Sequence, residues 1–377
     1  MSVVVAGVLV LGLVVTSAAA APPTLPGWPR SAPAGPLMLG PKGGVVVVAQ
    51  DGSAFTAAAY RRDGRRMWAY RREANCGNCD GGPQPVALQP DGTYGPIGFE
   101  GDDIWAVDAR GRKVAGCAGA VLADATCIGG TSTVEPPDFR SWPSVVARGP
   151  AGPLWRIIDR RYLWQGEFDV PPMTVRDGSG LIYTAFDGPR DAVGGATLPG
   201  VLLTVDPTAR AVVGTRVGPT EALAALPAGV LVAEGDGIAA LAADGSPRWS
   251  RPFTARPSQV LVDAARDRVY VGPGFDGVPV VRALSLATGA TVWRTATRDR
   301  ARLMSVGRGG RVYLAIDAAG RRAARAVRLA DGATVWQHRT GQPVLGVREL
   351  VNGTVAISAG SGYAGSSGGR MAIVDPR

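Results

Sequence analysis

Four cysteines, one histidine and a dense run of arginines are the groups in this sequence best equipped for chemistry. Cys76 and Cys79 form a C-x-x-C pair, and Cys117 and Cys127 follow with nine residues between them. A structural zinc site needs four soft ligands converging on a tetrahedron, and the wide second pair does not repeat the spacing of the first. A redox thiolate needs an activating setting of the βαβ kind, and nothing around Cys76 resembles one. Two structural disulfides remain, the ordinary state of cysteines in an exported chain. Of the three connectivities open to four cysteines, Cys76 with Cys79 and Cys117 with Cys127 is the expected one.

The single histidine, His338, stands two residues after Trp336 in a β-type run. One histidine cannot supply a His-rich metal site, and its place in an outer strand argues against a Ser-His-Asp relay. Glu100, Asp102 and Asp103 could hold calcium, but no complete ligand spacing surrounds them and an acid-rich tight loop is the simpler reading. No catalytic, cofactor-binding or metal-binding residue is therefore expected.

Of 40 Lys+Arg residues only Lys42 and Lys113 are lysine, so arginine carries nearly all of the formal net charge of +9. The densest cluster is YRRDGRRMWAYRR, where Arg61, Arg62, Arg65, Arg66, Arg71 and Arg72 interleave with Tyr60, Trp68 and Tyr70. Guanidinium forks pair bidentately with phosphates and carboxylates, and aromatic rings add stacking. This is the candidate contact for an anionic partner. The same pattern also suits a charged outer strand that resists edge-to-edge pairing. Whole-chain charge bears on encounter and solubility rather than on fold, and no nucleic-acid partner is expected from it.

The elements that must position these groups are announced by an internal repeat. ALSLATGATVW, from Ala283 to Trp293, and AVRLADGATVW, from Ala326 to Trp336, share one plan and set their tryptophans 43 residues apart. A period in the forties, built of short β-type runs and Gly/Asp turns, marks a propeller whose small sheets cannot bury their faces alone. The Gly-to-Trp offset recurs at Gly245 to Trp249 and at Gly64 to Trp68. As a ruler it places structural markers at Trp28, Trp68, Ala115, Trp164, Gly214, Trp249, Trp293 and Trp336. A tryptophan at one recurring position reads as a wedge between neighbouring sheets. The expected fold is all-β: an eight-bladed β-propeller of four-stranded antiparallel blades, with seven blades and a loose linker around Trp28 as the alternative.

The C-terminal stretch GRMAIVDPR stops in mid-repeat, before its Gly and Trp. The stretch around Trp28 can supply the missing outermost strand, closing the ring, and the neighbouring prolines suit an edge. Residues 1–21 read as a signal peptide or membrane anchor: Val3 to Val15 is apolar and uncharged, and Ala19 and Ala21 suit cleavage, although a positive start is lacking. Residues 22–36 form the Pro-rich segment and 37–377 the propeller. Extracytoplasmic placement and a monomeric state follow as expectations.

The phrase with Thr-Gly or Asp-Gly and Trp at a fixed offset resembles the PQQ-like (pyrroloquinoline-quinone) repeat of quinoprotein dehydrogenases and of envelope propeller scaffolds. The resemblance is specific over Ala283 to Trp336 and covers roughly Leu37 onward. It implies eight four-stranded blades around a channel, without implying a quinone. Quinoprotein alcohol dehydrogenases carry adjacent cysteines above the quinone, and this chain has no adjacent pair. The expectation is a non-catalytic envelope scaffold that binds a protein or anionic polymer through its loops; the alternative is a degenerate PQQ-dependent dehydrogenase. The cysteine reading is checked by thiol titration of exported, denatured protein, which should find almost no free thiol and no bound zinc.

Overall fold

A computed structural model describes residues 20–376, excepting 52–53, 74–86, 90, 101–102, 118, 123, 136–139, 162–171, 187–199, 219, 221, 236, 254–256, 258, 273–279, 298–299, 318–321 and 361–368. Its strands form eight four-stranded antiparallel sheets, the eight blades read from the repeat. Blades 1 to 7 take strands consecutive in sequence, within 37–73, 87–115, 120–158, 173–217, 222–252, 259–296 and 300–339. First strands of neighbouring blades touch one another, so they surround the axis. The second strands read as continuous apolar runs, such as Val45 to Val48 and Val312 to Ile316, because they are covered on both faces.

Blade 8 joins the two ends of the sequence. Val344–Glu349, Val355–Ala359 and Arg370–Val374 are completed by Arg30–Ser31, which pairs antiparallel with the third strand in the register Arg30↔Met371 and Ser31↔Arg370. Pairing continues upstream: Leu25 N donates to Ile373 O at 2.8 Å, and Asp375 N donates to Pro23 O at 2.9 Å. Trp28 is buried in one cluster with Met371, Ile373, Val45 and Tyr60, so it bridges blades 8 and 1. The seven-blade alternative, which leaves Trp28 loose, is thereby set aside.

The repeated phrase works between blades rather than within one. Trp68 donates its indole N–H to Ala109 O at 3.0 Å, Trp249 to Leu286 O at 2.8 Å and Trp293 to Leu329 O at 2.6 Å. Each acceptor lies in the hairpin between the third and fourth strands of the following blade. Trp28 obeys the same rule, donating to Arg62 O at 2.9 Å across the closing seam. The glycine of that hairpin receives the ring: Gly332, at φ +72°, would bring an added Cβ within 2.7 Å of Trp293, and Gly289, at φ +68°, within 2.6 Å of Trp249. Both the backbone sign and the space demand glycine there. Opposite the tryptophan, on the third strand, stands alanine: Ala59, Ala240, Ala283 and Ala326. Large faces small, and the sheets close without a void.

The middle blades depart from the ruler. Trp164 lies outside the described residues, and in blade 3 it is Trp155 that stands opposite an alanine, Ala147, just before the same register shift. The hairpin joining Arg140–Gly149 to Gly152–Ile158 is only two residues long, so the glycine-to-tryptophan offset shrinks and the ruler overshoots. Blade 2 reverses the pair, with Ala115 opposite Trp105. Blade 4 sets Gly214 opposite Thr204, and a bidentate ion pair from Arg216 to Glu234 of blade 5, at 2.7 Å, ties those two sheets instead.

Trp336 is the exception among the interlocking tryptophans. It is 3% exposed, yet its indole N–H has no partner among the described residues. Its neighbour is blade 8, whose third and fourth strands come from opposite ends of the sequence, so no hairpin carbonyl stands beneath it. Hence Trp293→Phe should cost about 1 kcal/mol more than Trp336→Phe, the worth of one hydrogen bond. Urea unfolding midpoints of the two variants test this, and equal losses would refute the account.

Candidate functional site: the arginine hairpins of the closing seam

The fold divides the arginine run. Arg61, Arg62 and Arg65 sit on the hairpin between Ala54–Tyr60 and Arg66–Glu73, and Arg66 opens the fourth strand of blade 1. Arg71 and Arg72 lie toward the far end of that strand, roughly 17 Å from Arg66 at about 3.3 Å per residue. Only the hairpin half forms a cluster. Asp63 shapes its turn, accepting the Arg65 N–H at 3.0 Å. The accompanying Arg65–Asp63 ion pair, 3.9 Å and solvent-exposed, contributes little to stability.

Ring closure enlarges the cluster. Arg30 donates from Nε to Gly27 O at 2.7 Å, and a Cβ placed on Gly64 would meet that Nε at 2.5 Å, so the Arg30 side chain lies against the blade 1 hairpin. On the other side, the Trp68 indole holds the blade 2 hairpin, with Arg110 and Arg112, next to blade 1. Arg112 is engaged by Asp108 at 2.7 Å. Slight burial pulls the Asp108 carboxyl up, but hydrogen bonds from Arg112 and Arg110 and the Arg112 charge outweigh it and hold it below its ordinary value. No carboxylate reaches Arg61, Arg62, Arg66 or Arg110 among the described residues. The seam thus carries exposed, rigidly based guanidinium groups drawn from three blades. Sequence reading missed Arg30, Arg110 and Arg112. The signal available was the phrase itself, since each tryptophan points to the next hairpin.

The other candidates are accounted for differently. Cys117 and Cys127 are joined by a disulfide with Cα atoms 5.5 Å apart, tying the approach to blade 3 to its second strand. Cys76 and Cys79 lie outside the described residues. Glu100 pairs with Asp103 across a hairpin whose centre, including Asp102, is likewise outside them. His338 is half-buried in the outer strand of blade 7 opposite Ala324, and burial pushes its pKa down, favouring the neutral ring. Among the described residues no cluster of three acids, cysteines or histidines could hold a metal.

Buried carboxylates are engaged structurally. Asp159 binds Arg161 at 2.6 Å and Asp263 binds Arg266 at 2.7 Å. Asp177, 5% exposed, accepts from Gly229 N of the next blade at 2.7 Å, from Leu181 N and Ser179 Oγ, and from the Tyr183 hydroxyl at 3.2 Å. Burial raises its pKa, but these donors outweigh burial and hold the carboxyl below its ordinary value. Glu349 mirrors it, accepting from Gly309 N at 3.0 Å and Tyr313 Oη at 2.6 Å across blades 8 and 7.

A ring of four-stranded sheets locked in part by a glycine-tryptophan phrase is a β-propeller. Within it, residues 230–377 match the family model described as outer membrane protein assembly factor BamB, which bears out the resemblance over that stretch. The fold is similar to the crystal structure of BamB from Moraxella catarrhalis, with TM-score 0.56 and 13% identity, covering 94% of this chain and 98% of that one. It also aligns with U3-55K at TM-score 0.49, with 11% identity over 92% of this chain and 97% of that one. The Pan2 WD40 domain of Neurospora crassa aligns at TM-score 0.48, with 12% identity over 92% and 90%. No curated protein sequence matches the chain.

The buried acid gives a test. Asp177→Asn should cost about 2 to 3 kcal/mol, because a charged acceptor of several hydrogen bonds becomes neutral. A lowered folded pKa means the unfolded chain binds more protons, so this stability is complete above about pH 4 and is lost as pH falls through the folded value. Thermal melts across that range should show the variant with a shallower acid loss than wild type.

Proposed function

We propose that this protein is an exported, non-catalytic propeller scaffold of the cell envelope that recognises a protein or an anionic polymer through its connecting turns. Likeness to BamB in fold and in the repeats of residues 230–377 supports the class and the extracytoplasmic placement. The observation that carries the reading is the seam: Arg30, Arg61, Arg62, Arg65 and Arg66 stand exposed on or beside the blade 1 hairpin, whose backbone is fixed by the inter-blade bond from Trp28 to Arg62 O. With the backbone already fixed, these guanidinium groups bind an anion at the cost of side-chain freedom alone. Blade side chains, by contrast, are committed to packing, which leaves recognition to turns.

Replacing Arg61, Arg62, Arg65 and Arg66 with Ser should leave the melting temperature nearly unchanged and weaken retention on isolated envelope about tenfold, since four exposed pairs at a few tenths of a kcal/mol each combine to that size. The loss should be larger at low salt. Arg71→Ser, at the other end of the strand, should have little effect. Retention equal to wild type in the fourfold variant would remove the seam from the reading, and dye-linked oxidation of alcohols or sugars by quinone-loaded protein would remove the scaffold reading itself.

A further inference from the structure

The basic seam and the N-terminal segment meet at one place on the ring. Thr24 bridges Val374, Pro23 O accepts from Asp375 N, and Trp28 reaches Arg62, so the chain entering from residue 20 runs along the hairpin end of blades 8 and 1. Upstream lies the apolar, uncharged stretch from Val3 to Val15. Nine residue steps separate Val15 from Thr24, a reach of at most about 30 Å even when fully extended. An anchored chain therefore holds this edge of the ring nearer the bilayer than any other.

Arginine is densest at that edge. Arg30, Arg61, Arg62, Arg65, Arg66 and Arg110 are exposed there, with Asp63 among them and Asp108 occupied by Arg112. The corresponding hairpins of blades 5 and 7 carry acids: Asp244 caps the blade 5 turn, and Arg328 is paired with Asp331 in blade 7. Basic groups beside an anchor are drawn to anionic headgroups over about one Debye length, and a second contact converts a single tether into a fixed orientation.

We propose that the seam is a docking surface for anionic phospholipid headgroups, which sets the hairpin edge of blades 8, 1 and 2 against the membrane. The proposal rests on the envelope reading above and names its anionic partner. Guanidinium groups bind phosphate diesters as paired donors, and the hairpins present them without a long flexible stem of intervening chain.

Phenylglyoxal labelling of the full-length protein, read arginine by arginine by mass spectrometry, tests it. The protein is reconstituted in vesicles of phosphatidylcholine alone or with phosphatidylglycerol. With phosphatidylglycerol, modification at Arg61, Arg62, Arg65 and Arg66 should fall at least about threefold and recover as salt is raised. Arg210, exposed on the blade 4 hairpin across the ring, should label equally in both. Equal labelling of the seam in both lipids overturns the proposal, as does an equal fall at Arg210. Protection by lipid-free envelope extract, with none from phosphatidylglycerol, assigns the seam to a soluble anionic polymer and also overturns it. If lipid gives no protection while the fourfold Ser variant still leaves the envelope, only the lipid assignment fails. If that variant stays bound as well, the envelope reading of the seam fails with it.

Discussion

Every blade of this ring is a sheet too small to stand alone, and four of the eight seams are locked by the indole of one blade donating to the hairpin of the next, at three of them with the ring laid on the hairpin glycine. The contact combines three demands at a single point. A positive φ excludes side chains from the hairpin, the flat ring fills the space left by the missing Cβ, and the indole N–H satisfies a carbonyl that would otherwise be lost to burial. Glycine and tryptophan of one phrase therefore never serve each other. The phrase of blade 6 shows both roles: its Gly289 is the socket for Trp249 of blade 5, and its Trp293 is the plug into Gly332 of blade 7.

That division of labour explains where chemistry can reside. Third-strand alanines and second-strand valines are consumed by inter-sheet packing, and the buried Asp177 and the half-buried Glu349 hold backbone amides of adjacent blades. Exposed charge is left to turns and outer strands. Hairpins joining third and fourth strands are short and fixed, whereas the longer connections, such as 74–86, 159–172 and 187–200, join strand ends on the opposite face. An arginine on a locked hairpin has its backbone held by the same hydrogen bonds that build the ring, so the fold decides where its charge is carried.

Much of this was legible in the residues. Two near-identical phrases announced the blade, their spacing announced the count, and a terminal half-repeat together with Trp28 announced the closure. The ruler failed where a hairpin changed length: two residues at Pro150-Ala151 in place of five displaced the marker from Trp155 to Trp164. Local counting cannot see a turn shorten. The arginine cluster was misjudged for a different reason. Sequence proximity joined Arg71 and Arg72 to the hairpin, although a strand carries them away from it, while Arg30 and Arg110 were distant in sequence and brought near only by the tryptophan contacts. The trade of Trp105 for Ala115 was likewise invisible, because a cross-strand pair is defined by register and not by either residue alone.

The closing strand has a consequence in time. Residues 23–31 pair with 370–375, so the segment made among the first can find its partner only after nearly the whole chain has been made. Until then Trp28 has only the blade 1 side of its cluster, Val45 and Tyr60, to pack against. A chain broken off anywhere before Met371 leaves the ring open and Trp28 with no Ile373 to pack against. Completion of the ring thus waits on residues 370–375, whatever has folded before them.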